Sequence, residues 1–209
     1  RGRQRQMCIR DRAKIMGLEV GAFEKKVAEV MCGGTRDLAV RRADYIGPRS
    51  CREAHLWTGG DKACEYGCLG FGDCVEACPF DAMYMGDDGL PRVMYEKCTG
   101  CGVCVEVCPR GVMQLVPENQ RVIVKCVNHD PGAQSRKVCK VACIACTKCV
   151  KTAPEGSMKI DTYLAVILDY KAVDSKAQEV IDSCPTFAIV DRKGELIHKK
   201  LREKSVAGA

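Results

Sequence analysis

The run Cys98-x2-Cys101-x2-Cys104-x3-Cys108-Pro109 sets three thiols two residues apart and a fourth before a proline. That spacing suits an iron–sulfur cubane, with the fourth thiolate serving a second cluster. One such run therefore demands a partner. It lies upstream as Cys64-x3-Cys68-x5-Cys74-x3-Cys78-Pro79, with the same Cys-Pro ending and a looser front half. Crossed ligation then predicts one cluster on Cys64, Cys68, Cys74 and Cys108, and another on Cys98, Cys101, Cys104 and Cys78. The irregular loop between Cys68 and Cys74, LGFGD, carries two glycines that let the backbone detour around a cluster.

Shifted against itself by 75 residues, the chain superposes Cys64, Cys68 and Cys74 on Cys139, Cys143 and Cys149, and Cys51 on Cys126. With one further residue, Cys108-Pro109 meets Cys184-Pro185. This predicts a duplicated two-cluster module whose second copy has decayed. Opposite Cys98, Cys101, Cys104 and Cys78 stand Asp174, Ala177, Val180 and Ala153. Under crossed ligation those four positions belong to a single cluster, so one whole site is lost and Cys143, Cys146, Cys149 and Cys184 survive as a third. Three [4Fe-4S] clusters are expected. Cys32, Cys51, Cys126 and Cys139 remain, and three readings of them stay open: a fourth four-iron cluster, plain buried cysteines, or zinc or a redox disulfide.

The elements that must hold these thiols are short. Strands are expected at 25–31 and 121–125, around Val93 and at Leu164–Leu168. Ser50 with Glu53 reads as a capping box opening a helix over Arg52–Trp57, stopped at Gly59-Gly60. Val75–Ala77 and Val105–Val107 read as one-turn helices. The fold class is α+β: small sheets and short helices around clusters. Trp57 is expected to pack locally, and His55, His129 and His198 to be surface residues.

With 5 % aromatics and 17 cysteines among 209 residues the organic core is thin, so bound metal should supply much of the folding free energy. The thiol spacing and the absence of a secretory signal point to a reducing compartment. The longest aliphatic run, Leu164–Leu168, falls far short of the ~20 residues of a membrane span. Residues 1–12 carry five Arg and one Asp and resemble a translated cloning adaptor; without them the formal +6 becomes +2. Nucleic acid is therefore not an expected partner, and Cys8 receives no role. No phosphate loop, nucleophile–base pair or nicotinamide fingerprint occurs, which leaves electron carriage rather than bond chemistry. The expected domains are an adaptor-like leader at 1–22, a strand/helix extension at 23–60, a two-cluster module at 61–118, a degenerate one-cluster module at 119–191 and a charged tail at 192–209.

The stretches KACEYGCLGFGDCVEACPFDAM, GLP, KCTGCGVCVEVCPRGVMQLVP and VCKVACIACTKCV resemble the B subunit of the Rnf complex, the ion-translocating ferredoxin:NAD oxidoreductase. The resemblance covers about residues 26–190 and implies tandem bacterial-type ferredoxin modules. It further implies a peripheral domain on the cytoplasmic side of a membrane, taking electrons from soluble ferredoxin and passing them to membrane subunits. Members of that family carry an N-terminal membrane anchor and a further cluster domain ahead of this region, and neither lies within these residues. A soluble polyferredoxin feeding a cytosolic oxidoreductase is the second reading, and a zinc-bound structural module the third.

Overall fold

The computed structural model describes residues 15, 16 and 24–192, so Cys8, His198, nearly all of the leader and the tail beyond Arg192 lie outside the described residues. Eight short strands form four antiparallel pairs. β1 (Lys26–Val30) lies against β4 (Met113–Pro117), with Val30 opposite Met113. Between them in sequence, β2 (Met83–Met85) and β3 (Pro91–Val93) make a hairpin. The arrangement recurs: β5 (Val122–Val124) lies against β8 (Ile189–Asp191), and β6 (Met158–Asp161) with β7 (Leu164–Ile167) makes the enclosed hairpin.

Seven short helices fill the connections. They are α1 (Cys51–Trp57), α2 (Asp73–Glu76), α3 (Val103–Glu106), α4 (Gly132–Val138), α5 (Lys148–Thr152), α6 (Tyr170–Ser175) and α7 (Ala177–Asp182). Ser50 Oγ accepts the Glu53 N–H at 3.5 Å, as its capping pattern requires, and α1 stops where Gly59 and Gly60 take φ of +72° and +76°. The one-turn helices α2 and α3 begin two residues before the expected Val75–Ala77 and Val105–Val107, so that Cys74 and Cys104 lie within them. Strands β2, β4, β6 and β8 lie outside the expected ones; β4 and β8 each pair with a strand more than 60 residues away, which local pattern does not encode. Trp57 is 80 % exposed rather than packed.

β5 is the wall between two cores. Its pleat sends Ile123 into a cluster with Val27, Val112 and Met113, and Val122 and Val124 into another with Val173, Val180 and Ile189. Across this wall runs a buried ionic knot. The Glu29 carboxylate, on a residue 2 % exposed, pairs with Lys125 Nζ and with Arg192 Nε at 3.2 Å, and accepts the Tyr95 hydroxyl at 2.7 Å. Arg192 stacks over the Tyr95 ring at 4.2 Å and donates to the carbonyls of Pro117, Glu118 and Gln120. Burial, then the carboxylate, pushes the Tyr95 hydroxyl up to about 12, so it remains a donor at ordinary pH. Arg192 thus belongs to the packed structure and not to the tail that was expected to begin there.

Removing one member of a buried ion pair strands the others without solvent, a loss of roughly 3–5 kcal/mol. Glu29→Ala should lower the stability of the iron-loaded chain by at least about 3 kcal/mol in anaerobic chemical unfolding. A change below about 1 kcal/mol would mean that the knot is solvated and does not join the two cores.

Candidate metal centres

The two cysteine runs put their thiols on short loops that end in one-turn helices, which aim the third cysteine of each run inward. Gly72 and Gly102 precede α2 and α3 with φ of +93° and +88°, a turn that a Cβ would oppose. Four gatherings of cysteine result.

Cys78, Cys98, Cys101 and Cys104 line an open-sided hollow of about 330 Å³ with Phe80, Met83 and Leu115. Burial, then the neighbouring thiols of Cys98, Cys101 and Cys78, push Cys104 up to about 11. The backbone N–H of Ala28 donates to Cys98 Sγ at 3.3 Å and that of Ala82 to Cys78 Sγ at 3.4 Å. This is the second quartet expected from the spacing.

The first quartet differs by one member. A hollow of about 410 Å³ is lined by Cys68, Cys74, Cys108 and Cys51, and Cys64 is not among its walls. Burial, then Cys68, Cys51 and Cys108, push Cys74 up to about 12. The physical reason lies in the repeat. Position 71, which the 75-residue shift sets opposite Cys146, is Phe71, so this run has no middle thiol of its own. Phe71 packs instead on Tyr45, Cys51, Ala54 and Leu69, with the Tyr45 and Phe71 rings 5.2 Å apart. Asp73 Oδ1 accepts the Cys51 N–H at 2.7 Å and Oδ2 the Arg52 N–H at 3.1 Å, binding the start of α1 to the residue beside Cys74. Cys51 thereby occupies the place of the missing thiol.

Cys64 goes to the leftover group in exchange. An ideal Cβ on Gly34 would meet Cys139 Sγ at 3.4 Å and Cys32 Sγ at 3.6 Å, so Gly34 brings those two sulfurs together. Burial, then the Cys32 and Cys64 thiols after the Val141 N–H, sets Cys139 near 11. Buried Asn128 donates to Cys64 Sγ at 3.5 Å, and Cys126 packs in one group with Cys139. The structure therefore gathers Cys32, Cys64, Cys126 and Cys139, where the spacing had suggested Cys51 in place of Cys64.

Cys143, Cys146, Cys149 and Cys184 gather as expected: burial, then the Cys143 and Cys184 thiols, push Cys149 up to about 11. At the decayed positions Ala153, Ala177 and Val180 are packed with Val173, Leu164 and Ala165. Asp174 accepts the N–H groups of Arg121 and Val122, each at 2.8 Å, and so caps the start of β5. Side chains rather than thiols occupy what the 75-residue shift would make a fifth site. His55 and His129 are exposed and join no gathering.

Two observations test the fit to iron–sulfur clusters. Among the described residues no three Cys, His, Asp or Glu groups are arranged to hold a single metal ion, while the all-thiol make-up of each quartet is the donor set of a [4Fe-4S] cluster. The buried Nε of Arg110 has no hydrogen-bond partner, and Arg110 lines the hollow of Cys51, Cys68, Cys74 and Cys108, where a cluster sulfur would accept. The four-thiol sets fit [4Fe-4S].

Residues 63–113 match the 4Fe-4S dicluster domain family. The chain is 50 % identical over 178 residues to the B subunit of the Na(+)-translocating ferredoxin:NAD(+) oxidoreductase complex of Acetobacterium woodii, an overlap of 85 % of this chain and 53 % of that one. It is 44 % identical over 177 residues to the B subunit of the proton-translocating ferredoxin:NAD(+) oxidoreductase complex of Clostridium ljungdahlii, 85 % and 62 % respectively. It is 39 % identical over 175 residues to the B subunit of the ion-translocating oxidoreductase complex of Methanosarcina acetivorans, 84 % and 66 % respectively. The chain thus spans between about half and two thirds of the length of these relatives.

Without metal, burial holds the thiols of Cys68, Cys74 and Cys126 near 12, against 9.0 for an unhindered thiol. A pKa raised by folding contributes stability that is complete below the unfolded value and is lost as pH climbs to the folded one. Whatever folded circular-dichroism signal the metal-free chain keeps at neutral pH should therefore be lost between about pH 9 and pH 12, while the iron-loaded chain, its thiolates already ionised as ligands, should hold its signal over that range. A metal-free signal unchanged to pH 12 would mean that these thiols are not buried.

Proposed function

Because this chain is a homologue, over about 85 % of its length, of the B subunits of ion-translocating ferredoxin:NAD oxidoreductases, we propose that it is the electron-relay part of such a subunit. It takes electrons from a soluble ferredoxin and hands them to the membrane subunits of an Rnf-like complex, on the cytoplasmic side of the membrane. Among the described residues no helix is long and apolar enough to cross a bilayer, which accords with a peripheral domain. The observation that carries the reading is that sixteen free cysteines fall into four groups of four.

Four clusters are proposed, on Cys78, Cys98, Cys101 and Cys104; on Cys51, Cys68, Cys74 and Cys108; on Cys32, Cys64, Cys126 and Cys139; and on Cys143, Cys146, Cys149 and Cys184. When bound, [4Fe-4S] clusters supply one-electron transfer without bond making. The chain's own groups orient the sulfurs and set how much charge they bear. The N–H groups of Ala28 and Ala82 and the Asn128 amide donate to thiol sulfurs, and buried Lys62 and Arg110 stand beside Cys68. Such donors and cations favour the more negative, reduced form.

The proposal includes the tandem origin of the fold, with modules at 61–118 and 119–191. The hairpin β6–β7 follows β2–β3 by about 75 residues, and β8 follows β4 by 76, which supports it. The extension at 23–60 then serves the first module by lending it β1 and Cys51.

Iron and acid-labile sulfide should both approach about sixteen per chain, four for each quartet. Paired substitutions separate the two allocations. Cys51→Ser with Cys68→Ser should remove about four irons, one cluster, while Cys64→Ser with Cys68→Ser should remove about eight. The reverse pattern would return Cys64 to the first quartet. A wild-type chain that binds about twelve irons would leave Cys32, Cys64, Cys126 and Cys139 as plain structural cysteines.

A further inference from the structure

The four quartets stand in a row. Cys74 packs in one buried cluster with Cys98 and Cys104 of the Cys78 quartet, and α2 lies against α3, while Arg110, which lines the hollow of Cys51, Cys68, Cys74 and Cys108, donates to the Cys64 carbonyl at 2.9 Å. At the other side, the Cys143 N–H donates to Cys126 Sγ at 3.3 Å, joining the quartet of Cys32 to that of Cys146. The order is therefore the Cys101 quartet, the Cys51 quartet, the Cys32 quartet and the Cys146 quartet. Of the sixteen described cysteines only Cys101 and Cys146 are exposed, one in each terminal quartet. Beyond the Cys146 quartet the row cannot continue, since Ala153, Ala177 and Val180 fill the fifth site.

The two exposed ends differ in charge. Residues 63–113 hold eight acidic and three basic residues, a formal −5; Asp81, just past Cys78, and Glu96 and Glu106, on either side of Cys101, are exposed, as is Lys97. Residues 121–192 hold eleven basic and eight acidic residues, a formal +3. Between 131 and 154 there is no acid at all, while Arg136, Lys137, Lys140, Lys148 and Lys151 are all exposed. Helix α7, which packs on α5, carries Glu179 and Asp182, and Glu155 follows α5, so residues 131–155 together with α7 hold five cations and three acids. Clusters add negative charge at both ends, which deepens the acidity of the Cys101 end and leaves the Cys146 end near neutral overall with a cationic fringe.

We propose that the face around Cys146, fringed by Lys140, Lys148 and Lys151, is where an acidic one-electron carrier protein docks. The charge complementarity selects this end over the other: a negatively charged carrier is attracted to the lysines and repelled by the acids around Cys101. Cys146 at the surface then brings the terminal thiolate into contact range. This inference rests on the electron-relay reading above and adds the site of exchange to it.

The test uses the iron-loaded chain and a purified small acidic two-cluster ferredoxin, with binding measured by calorimetry at low and high salt. Lys148→Glu with Lys151→Glu should weaken binding at low salt at least about tenfold and flatten its salt dependence, with iron content unchanged. Glu96→Lys with Glu106→Lys, at the other end, should not weaken it. Carbodiimide cross-linking should join ferredoxin carboxylates to lysines of the 140–151 segment. Unchanged affinity in the Lys148/Lys151 variant, or loss in the Glu96/Glu106 variant, overturns the docking face and leaves the relay reading standing. If the wild-type clusters are reduced by methyl viologen while no ferredoxin binds or reduces them, the relay reading itself fails.

Discussion

Everything in this fold answers to one constraint: each cubane needs four thiolates at its own spacing, and thiols crowded in a protein interior resist ionisation. Burial and mutual proximity hold Cys68, Cys74 and Cys126 near 12 and Cys104, Cys139 and Cys149 near 11. Iron reverses that penalty by taking the thiolate as ligand, so metal binding and folding are one free energy. The short strands and one-turn helices make little apolar core alone, and their placement is intelligible as the scaffolding each quartet requires.

The same constraint explains both departures from simple duplication. Where the first run has Phe71 in place of a middle thiol, the extension supplies Cys51, and Asp73 binds the start of α1 beside Cys74 to hold it there. Where Asp174, Ala177, Val180 and Ala153 stand opposite Cys98, Cys101, Cys104 and Cys78, a hole would be worse than an apolar plug. Ala177 and Val180 close it, and Asp174 turns from a ligand position into a cap on the amides of Arg121 and Val122.

Much of this was legible in the residues. The Cys-x2-Cys-x2-Cys-x3-Cys-Pro run, the 75-residue shift and the residues at 153, 174, 177 and 180 lead to the same groupings of the Cys101 and Cys146 quartets that the side-chain geometry favours. The exchange of Cys51 and Cys64 was hidden by taking Cys64 as the head of the upstream run. The signal that reveals it was present: the repeat sets Cys68, Phe71 and Cys74 opposite Cys143, Cys146 and Cys149, so the missing thiol is the middle one, and Cys64 pairs with Cys139 instead. The order of the quartets was not legible, because it depends on β1 reaching across to β4 and on Lys125, Arg192 and Tyr95 converging on Glu29. Those are pairings over 66 residues or more, which local spacing does not encode.

Anomalous scattering at the iron edge from crystals of the iron-loaded chain addresses the central claim most directly, because it locates iron independently of ligand assignment. The account predicts four separate iron sites in a row, the second bounded by Cys51, Cys68, Cys74 and Cys108 and the third by Cys32, Cys64, Cys126 and Cys139. Three iron sites, or a site bounded by Cys64 together with Cys68, Cys74 and Cys108, would contradict it.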